Sequence, residues 1–370
     1  MQLFASFFIY IDKVIYMYDY VVKTFNGRTL YFFMENGICV KDLSSKSNRY
    51  NVIFEDGVND FCVEDLGFGE VGIICQDKEG SIVFLRENNN TFIKTILLKS
   101  KSQKCYDKFF KLCLHGNWLG LSYIVEYNDH NILSYQLVNN EHEPPMVVDY
   151  ITDKNYFTTV DKSYNRIFVY NKNEEFGYRI FKWSQKCFDN YEKLDSGSML
   201  CATNDFSDNY YILYQKEGEV YLKVLKEEDG IFSISDYPLK FAECDDEFSV
   251  LIEESNLWIV TKRKGFIFGR KTKVPDINFS SQYNFFQDGD IRKINLSLND
   301  KKVKTQDCFG TIKNLRPELI LYKNLYNYEI NKRKNSDTDE KNSYLKEIEK
   351  LNIRIALVEN QLKKWSKKDS

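Results

Sequence analysis

With 370 residues, 43% of them hydrophobic and 28% charged, the chain has the balance of a globular protein rather than a disordered one. A chain of this length can bury a large core in one domain or two, which excludes the small disulfide-stabilised classes. With a net charge of −3, the chain lacks the excess of basic residues that is typical of a nucleic-acid-binding protein, so no nucleic-acid partner is predicted.

The apolar fraction is dominated by aromatic residues, with 28 Phe and 26 Tyr, whereas the chain contains only four Ala. Aromatic and β-branched side chains suit the pleated, half-buried surface of a strand. Alanine is the best helix former, and a helical protein would use far more of it. The composition therefore favours a mostly β fold.

Nine cysteines are scattered along the chain without any CxxC pair, and most lie inside apolar, strand-like segments. Such cysteines are typical of small buried hydrophobic residues, and unpaired thiols favour a reducing, cytoplasmic location. The three histidines lack the spacing of metal ligands. We therefore predict no metal site and no cofactor.

The first residues, MQLFASFFIYIDKVIYMYDYVV, are apolar and aromatic. They lack the basic segment and the cleavage site of a signal peptide. Charges at Asp12, Lys13 and Asp19 interrupt the stretch well before about 18 apolar residues, the length that a membrane-spanning helix needs. We predict two aromatic strands here, joined at residues 11–13, and no transmembrane segment.

Pairs of strand-like segments joined by short polar turns recur along the first 300 residues. The turn centres lie near positions 36, 79, 129, 173, 217, 255 and 289, between 34 and 50 residues apart. Further segments between the pairs, such as TFIKTILL at 91–98, give about four strands per period. A four-stranded unit repeated about every 40–45 residues is the period of a propeller blade.

By this period alone, residues 3–299 resemble the β-propeller superfold, without the motif of any named propeller family. The resemblance implies a propeller of about seven blades. Six or eight stay open, because the fourth unit also has turn residues at 163–165 and the sixth at 262–265. We expect Leu3 to Tyr10 to complete the last blade beside Ile291 to Leu298, which would remove an open edge.

The pattern changes after residue 299. Pro317 precedes apolar residues spaced 3 and 4 apart, which predicts a helix at about 317–331. A polar hinge follows, and 343–367 then shows a heptad pattern typical of a coiled coil. We therefore predict a propeller at 1–299, a connecting segment with that helix and hinge at 300–342, and a coiled-coil helix at 343–367.

The heptad pattern predicts a self-association seam, and hence a homo-oligomer. Its members are Tyr344, Ile348, Leu351, Ile355, Val358, Leu362 and Trp365. Ile353 and Leu357 form a second apolar stripe outside the seam, which would also suit a helix packed on its own propeller. A helix that binds a different protein is the third alternative.

Candidate chemistry is sparse. Residues 67–72 match GxGxxG, but a strand follows instead of the helix that a dinucleotide site needs, so we expect a turn. Carboxylates cluster at three places, where we expect exposed loops. The first cluster is Asp56, Asp60, Glu64 and Asp65, the second is Asp205 and Asp208, and the third is Asp245, Asp246 and Glu247. His115, near Trp118, is expected to be structural. No catalytic residue is named.

Two function classes follow from this interpretation. The first is a non-enzymatic scaffold whose propeller binds a protein partner and whose coiled coil mediates self-association. The alternative is a carbohydrate-binding or carbohydrate-acting propeller that uses loop carboxylates and aromatic residues. An open polar channel with two facing carboxylates would favour the alternative, whereas a channel filled by side chains and an exposed apolar patch elsewhere would favour the scaffold.

Overall fold

A computed structural model describes residues 19–321, apart from 46–48, 68, 90, 102–104, 116–117, 139–142, 229–230, 240, 242–246, 264, 286–288 and 299–302. The chain divides into two units, Met1–Tyr326 and Asn327–Ser370, and every described residue belongs to the first. These described residues form strands and turns and no helix, which confirms the predicted mostly β fold. Within them, no helix has the length and apolar character needed to cross a membrane.

The strands form six sheets in chain order. Sheet 1 contains β1 (Tyr20–Lys23), β2 (Thr29–Met34), β3 (Ile38–Asp42) and β4 (Asn51–Phe54). Sheet 2 contains β5 (Gly57–Gly67), β6 (Glu70–Asp77), β7 (Ile82–Asn88) and β8 (Thr91–Leu98). Sheet 3 contains β9 (Lys111–His115), β10 (Trp118–Tyr127), β11 (His130–Val138) and β12 (Met146–Ile151).

The second half of the chain continues the series. Sheet 4 contains β13 (Tyr156–Val160), β14 (Arg166–Lys172), β15 (Glu175–Lys182), β16 (Cys187–Phe188) and β17 (Glu192–Ser196). Sheet 5 contains β18 (Ser198–Asn204), β19 (Tyr210–Lys216), β20 (Glu219–Glu228) and β21 (Ile231–Leu239). Sheet 6 contains β22 (Phe248–Glu253), β23 (Asn256–Arg263), β24 (Phe266–Lys273) and β25 (Tyr283–Phe285). The C-terminal strands are β26 (Arg292–Leu298), β27 (Val303–Lys304), β28 (Asp307–Lys313) and β29 (Arg316–Leu319).

Within sheets 2, 3 and 5, strands that are consecutive in the chain pair in antiparallel fashion, as do β1 to β4 of sheet 1 and β22 to β25 of sheet 6. In sheet 4, β15 pairs with both β16 and β17. The first strand of each sheet lies beside the first strand of the next. The first strands therefore surround a common axis, and the last ones form the outer edges. The predicted turns near 36, 79, 129, 173 and 217 are all confirmed as the turns between the second and third strands of sheets 1 to 5.

The two remaining predicted turns differ from the structure. The turn near 255 joins the first and second strands of sheet 6, and its second and third strands pair across the alternative turn position, with Arg263 opposite Phe266. The turn near 289 joins no hairpin, because β25 pairs with β24 while β26 pairs with β1 and β28. The described residues thus form six sheets, within the six to eight blades that the sequence left open. Turn residues mark where a strand ends, but they do not determine which strand becomes its partner.

Closure of the ring joins the two ends of the described chain. β26 pairs in parallel with β1, so that Tyr20 lies opposite Asn295 and Lys23 opposite Leu298. The neighbour of β26 is therefore residues 20–23; the predicted strand from Leu3 to Tyr10 lies outside the described residues. With both of its edges paired, β26 leaves no free edge at the junction.

The strands also continue beyond the predicted boundary at residue 299. β28 and β29 extend sheet 1 beyond β26, and β27 pairs with β22 of sheet 6. Pro317 lies opposite Ile312 in β29 instead of opening a helix. Proline is tolerated there because β29 is the edge strand of the sheet, where no partner needs its missing N–H. Residues 322–331 of the predicted helix, and the whole segment 343–367, lie outside the described residues.

Apolar side chains fill the space between each sheet and the next. Phe32 packs with Ile73 between sheets 1 and 2, and equivalent clusters lie between each later pair of sheets. Phe309 of β28 packs against Val260 of sheet 6, and Leu251 of sheet 6 joins the cluster of β1 and β26. Each fully buried Leu, Ile or Phe contributes about 1.5–3 kcal/mol. Six sheets packed face to face in a closed ring form a β-propeller.

Candidate functional site in the central channel

Polar side chains on the innermost strands lie around the axis of the propeller. They come from β5, β9, β18, β26 and the segment 304–307, and they are half-buried: Glu64, Lys111, Cys113, Cys201, Lys293, Lys304, Gln306 and Asp307. Several of them influence one another electrostatically, across sheets. We call this group the channel cluster.

One member of the channel cluster, Gln306, crosses the axis and bonds to residues on the opposite side. Lys111 Nζ donates to the backbone carbonyl of Tyr156, at 2.6 Å, and to Gln306 Oε1, at 3.0 Å. Gln306 Nε2 donates to the carbonyl of Thr158, at 3.1 Å. Gln306 belongs to the strands that close the ring between sheets 6 and 1, whereas Lys111 and Thr158 belong to sheets 3 and 4 on the opposite side. The amide therefore spans the channel.

Further hydrogen bonds fix the backbone around Gln306. Thr305 Oγ1 donates to the carbonyl of Val250 at 3.0 Å, and Ser249 Oγ donates to the carbonyl of Asp307 at 2.9 Å. The amide of Leu296 donates to the carbonyl of Gln306 itself, at 2.9 Å. The crossing side chain thus extends from a segment attached to both sheet 6 and β26.

The pKa values of Lys111 and Lys293, the two channel lysines with described partners, shift in opposite directions. Burial lowers the pKa of Lys111 to about 8 and outweighs the charge of Asp307; the described hydrogen-bond acceptors of its ammonium, at Tyr156 and Gln306, are neutral. Burial also disfavours the charge of Lys293, but Asp307 at 3.2 Å outweighs it and raises the pKa of that lysine. Lys293 and Asp307 therefore form a stable ion pair in the channel.

Glu64 is the second carboxyl group of the channel. Burial raises its pKa to about 7, although the hydroxyl of Ser297, which donates to it at 3.0 Å, and the charges of Arg166 and Lys304 lower it. Each carboxyl group thus has its own partner, Ser297 for Glu64 and Lys293 for Asp307. This differs from a pair of carboxylates held free on either side of a substrate bond.

Arg166, on β14 of sheet 4, is fully buried against sheet 3. Its guanidinium donates to the carbonyl of Gly120 at 2.9 Å and to the hydroxyls of Thr158 at 2.8 Å and Ser122 at 3.1 Å. It also lies over the ring of Tyr135, 5.1 Å from the centroid. These neutral contacts connect sheets 3 and 4, which indicates a structural role.

The structure disperses the first predicted group of carboxylates. Asp56 is exposed, whereas Asp60 is buried and accepts backbone amides from residues 108 and 109. Asp65 accepts the backbone amide of Phe25 at 3.0 Å. Of this group, Glu64 is the member that reaches the channel; Asp65, the next residue along β5, points to the opposite face of the strand.

The second predicted group of carboxylates belongs to a turn that occurs twice. Asp205 Oδ1 accepts the amides of residues 207 and 209, and Asp161 Oδ1 accepts those of 163 and 165 in the same way. The repeated pattern D-x-S-x-N, 44 residues apart, was the signal in the sequence that could have identified both turns. Asp208 contacts Lys162 of the other turn, at 3.6 Å.

The remaining predicted sites are as follows. Glu247 is exposed, and Asp245 and Asp246 lie outside the described residues. Gly67 and Gly69 form the turn between β5 and β6 with φ of 83° and 84°, which confirms the turn predicted at 67–72. The side chain of His115 is not among those described. No group of three or more His, Cys, Asp or Glu side chains within the described ranges is placed to hold a metal ion.

No family model matches the chain, and no curated protein matches it either. Similar solved structures include a fungal lectin from Aleuria aurantia, a six-bladed β-propeller that recognises fucose, at 10% identity and a TM-score of 0.44 over 72% of this chain and 95% of that chain. The WD40 domain of SCAP from fission yeast has 6% identity and a TM-score of 0.48 over 76% of this chain and 78% of that chain. A polysaccharide lyase of the ulvan lyase family PL25 has 10% identity and a TM-score of 0.43, over 66% and 76%. Because these TM-scores are all below 0.5, the propeller assignment rests on the sheet order and packing of the chain itself.

Proposed function

We propose that the chain is a non-enzymatic interaction scaffold: a propeller that binds a protein partner, with a C-terminal coiled-coil helix that joins copies of the chain. The observation that carries the proposal is a group of exposed aromatic and apolar side chains on sheet 3, two of them on its outer strand β12. Tyr127, Val147 and Tyr150 are each more than half exposed, at 63%, 55% and 57%. The ring of His130 lies 6.1 Å from that of Tyr150.

The position of this group suits a protein partner. Val147 and Tyr150 lie on β12, the outermost strand of its sheet, which pairs with β11 on one side. An outer strand can accept an added strand from another protein, and aromatic side chains are enriched at protein interfaces. The channel offers less to a ligand, since Gln306 crosses it and both of its carboxyl groups have partners.

The partner-binding proposal is tested by cross-linking mass spectrometry on the full chain in its host cells. We expect cross-links to a partner to concentrate at β12 and to be lost in the double variant Val147→Ser, Tyr150→Ser. Ile234→Ser is the matched control, because Ile234 is also half exposed on an outer strand, β21 of sheet 5. Cross-links that persist in the double variant would refute the proposed surface.

The self-association proposal concerns the heptad residues of 343–367. Ile355→Asp places a charge in the predicted seam, which is costly without a partner, and should shift the full chain toward monomer. The control is Ile353→Ser with Leu357→Ser, which lie outside the seam and should leave the oligomer intact. Light scattering at several protein concentrations measures the oligomeric state of the wild type and of each variant. A wild-type chain that is monomeric at about 100 μM, roughly 100-fold above a micromolar dissociation constant, would refute the seam.

A further inference from the structure

Two tryptophans from different sheets meet at one end of the propeller. Trp118 begins β10 of sheet 3, and Trp183 directly follows β15 of sheet 4. Their ring centroids are 5.6 Å apart and the rings are nearly perpendicular, at 67°. Trp118 is 37% exposed, while Trp183 packs partly against the apolar cluster between the two sheets. The pair is therefore anchored on one side and open to solvent on the other.

A lysine of the same chain lies over both rings. Lys186 Nζ is 3.1 Å from the ring centroid of Trp183 and 5.0 Å from that of Trp118. The turn after β15 produces this placement, because the amide of Lys186 donates to the carbonyl of Lys182 at 2.9 Å. Lys186 has a φ of 54°, in the left-handed region that lysine rarely adopts. The backbone of Lys186 is therefore strained at the position from which its side-chain ammonium contacts the two rings.

The electrostatic environment of the two tryptophan rings favours a cation, but it disfavours a cation that depends on hydrogen bonds to water. Aromatic faces attract positive charge, and tryptophan does so most strongly. Glu143 adds the attraction of a carboxylate, yet desolvation against the rings outweighs it and lowers the pKa of Lys186. A primary ammonium loses hydrogen bonds to water when it enters such a site. A quaternary ammonium has no N–H groups and loses much less.

We propose that Trp118 and Trp183 form a binding site for a quaternary ammonium group, and that Lys186 occupies this site as an internal competitor until the ligand displaces it. Lys186 is an exposed residue on a surface turn, so its side chain can leave without disturbing the core. The site is separate from the channel cluster and from the exposed side chains on β12. The inference therefore goes beyond the scaffold function and does not depend on it.

The test is a titration of the full chain with tetramethylammonium and with Nα-acetyl-trimethyl-lysine amide, at constant ionic strength, followed by tryptophan fluorescence and calorimetry. We expect both probes to bind and the matching unmethylated lysine amide to bind more weakly. Lys186→Ala removes the competitor and should lower the dissociation constants several-fold. Trp183→Phe should raise them by about tenfold, within the range of cation–π energies.

The matched control is Lys271→Ala. Lys271 Nζ also lies over a tryptophan, 5.4 Å from the ring centroid of Trp258 in sheet 6, and this variant should bind both probes as the wild type does. Circular dichroism checks that each variant keeps its sheets. The proposal is overturned if neither the wild type nor Lys186→Ala binds the probes, or if binding is the same in Trp183→Phe. Binding of a neutral monosaccharide in place of both cations would also overturn it and would favour a carbohydrate site.

Discussion

Gln306 and Thr158 lie on opposite sides of the ring, and the amide Nε2 of Gln306 donates to the carbonyl of Thr158 across the channel, at 3.1 Å. The same side chain accepts from Lys111 through Oε1, at 3.0 Å. Both Nε2 and Oε1 of Gln306 therefore have hydrogen-bond partners in sheets that are far from Gln306 in sequence. This side chain couples the closing strands of the ring to sheets 3 and 4.

Gln306→Ala removes both of these hydrogen bonds. The variant should lower the free energy of unfolding by about 1–3 kcal/mol, because the ammonium of Lys111 and the carbonyl of Thr158 each lose a partner. Chemical denaturation measures the change. Gln185→Ala is the control, since Gln185 is exposed and accepts only a long thiol contact. Equal stability of the two variants would show that the crossing amide contributes nothing.

Arg166→Leu tests the buried guanidinium. We expect a loss of about 3 kcal/mol or more, because the carbonyl of Gly120 and two hydroxyl groups would be left buried without their donor. The surface variant Arg86→Ala is the control, and its exposed ion pair with Glu70, at 3.1 Å, should contribute no more than about 1 kcal/mol. Denaturation curves for both variants in one buffer give the comparison. Similar losses in the two would contradict the structural role of Arg166.

Glu64 should make stability depend on pH. Its pKa is about 7 in the folded chain, against about 4.3 for an unfolded glutamate, so the native state binds more protons between these values. The contribution of Glu64 to stability should therefore decrease as pH rises from about 4.3 to 7 and stay constant above 7. Asp60, whose pKa is also raised to about 7 by burial, acts in the same direction.

Glu64→Gln removes one of these two contributions. Denaturation from pH 5 to 8 should show the variant gaining stability relative to the wild type as pH rises, with a residual slope from Asp60. Ser297→Ala should act in the opposite direction, because the hydroxyl of Ser297 lowers the pKa of Glu64. A Glu64→Gln curve parallel to the wild-type curve would contradict the raised pKa.

Truncation should show where the propeller ends. A chain that stops after Leu298 lacks β27 to β29, so apolar residues such as Leu251 and Ile294 lose their cover and the protein should aggregate. A chain that stops after Leu321 keeps these strands and should stay folded. Size-exclusion chromatography with circular dichroism distinguishes the two. If the shorter chain is monomeric and folded, the closing strands are not part of the core.

Most strand and turn positions follow from local patterns in the sequence. β8 at 91–98 matches the predicted segment residue for residue. Five of the seven predicted turn centres are the middle turns of their sheets. These features are local, because apolar alternation and turn residues act within about ten residues of one another.

The pairing of strands at closure and the grouping of polar side chains into one site depend instead on the packing of the sheets around the ring. The order of residues does not show that β26 takes β1 as its neighbour or that Gln306 reaches Lys111. The same is true of Trp118 and Trp183, which lie 65 positions apart yet touch because sheets 3 and 4 are adjacent. Such contacts depend on the number of sheets that fit around the axis, a property of packing between sheets that no short stretch of sequence contains.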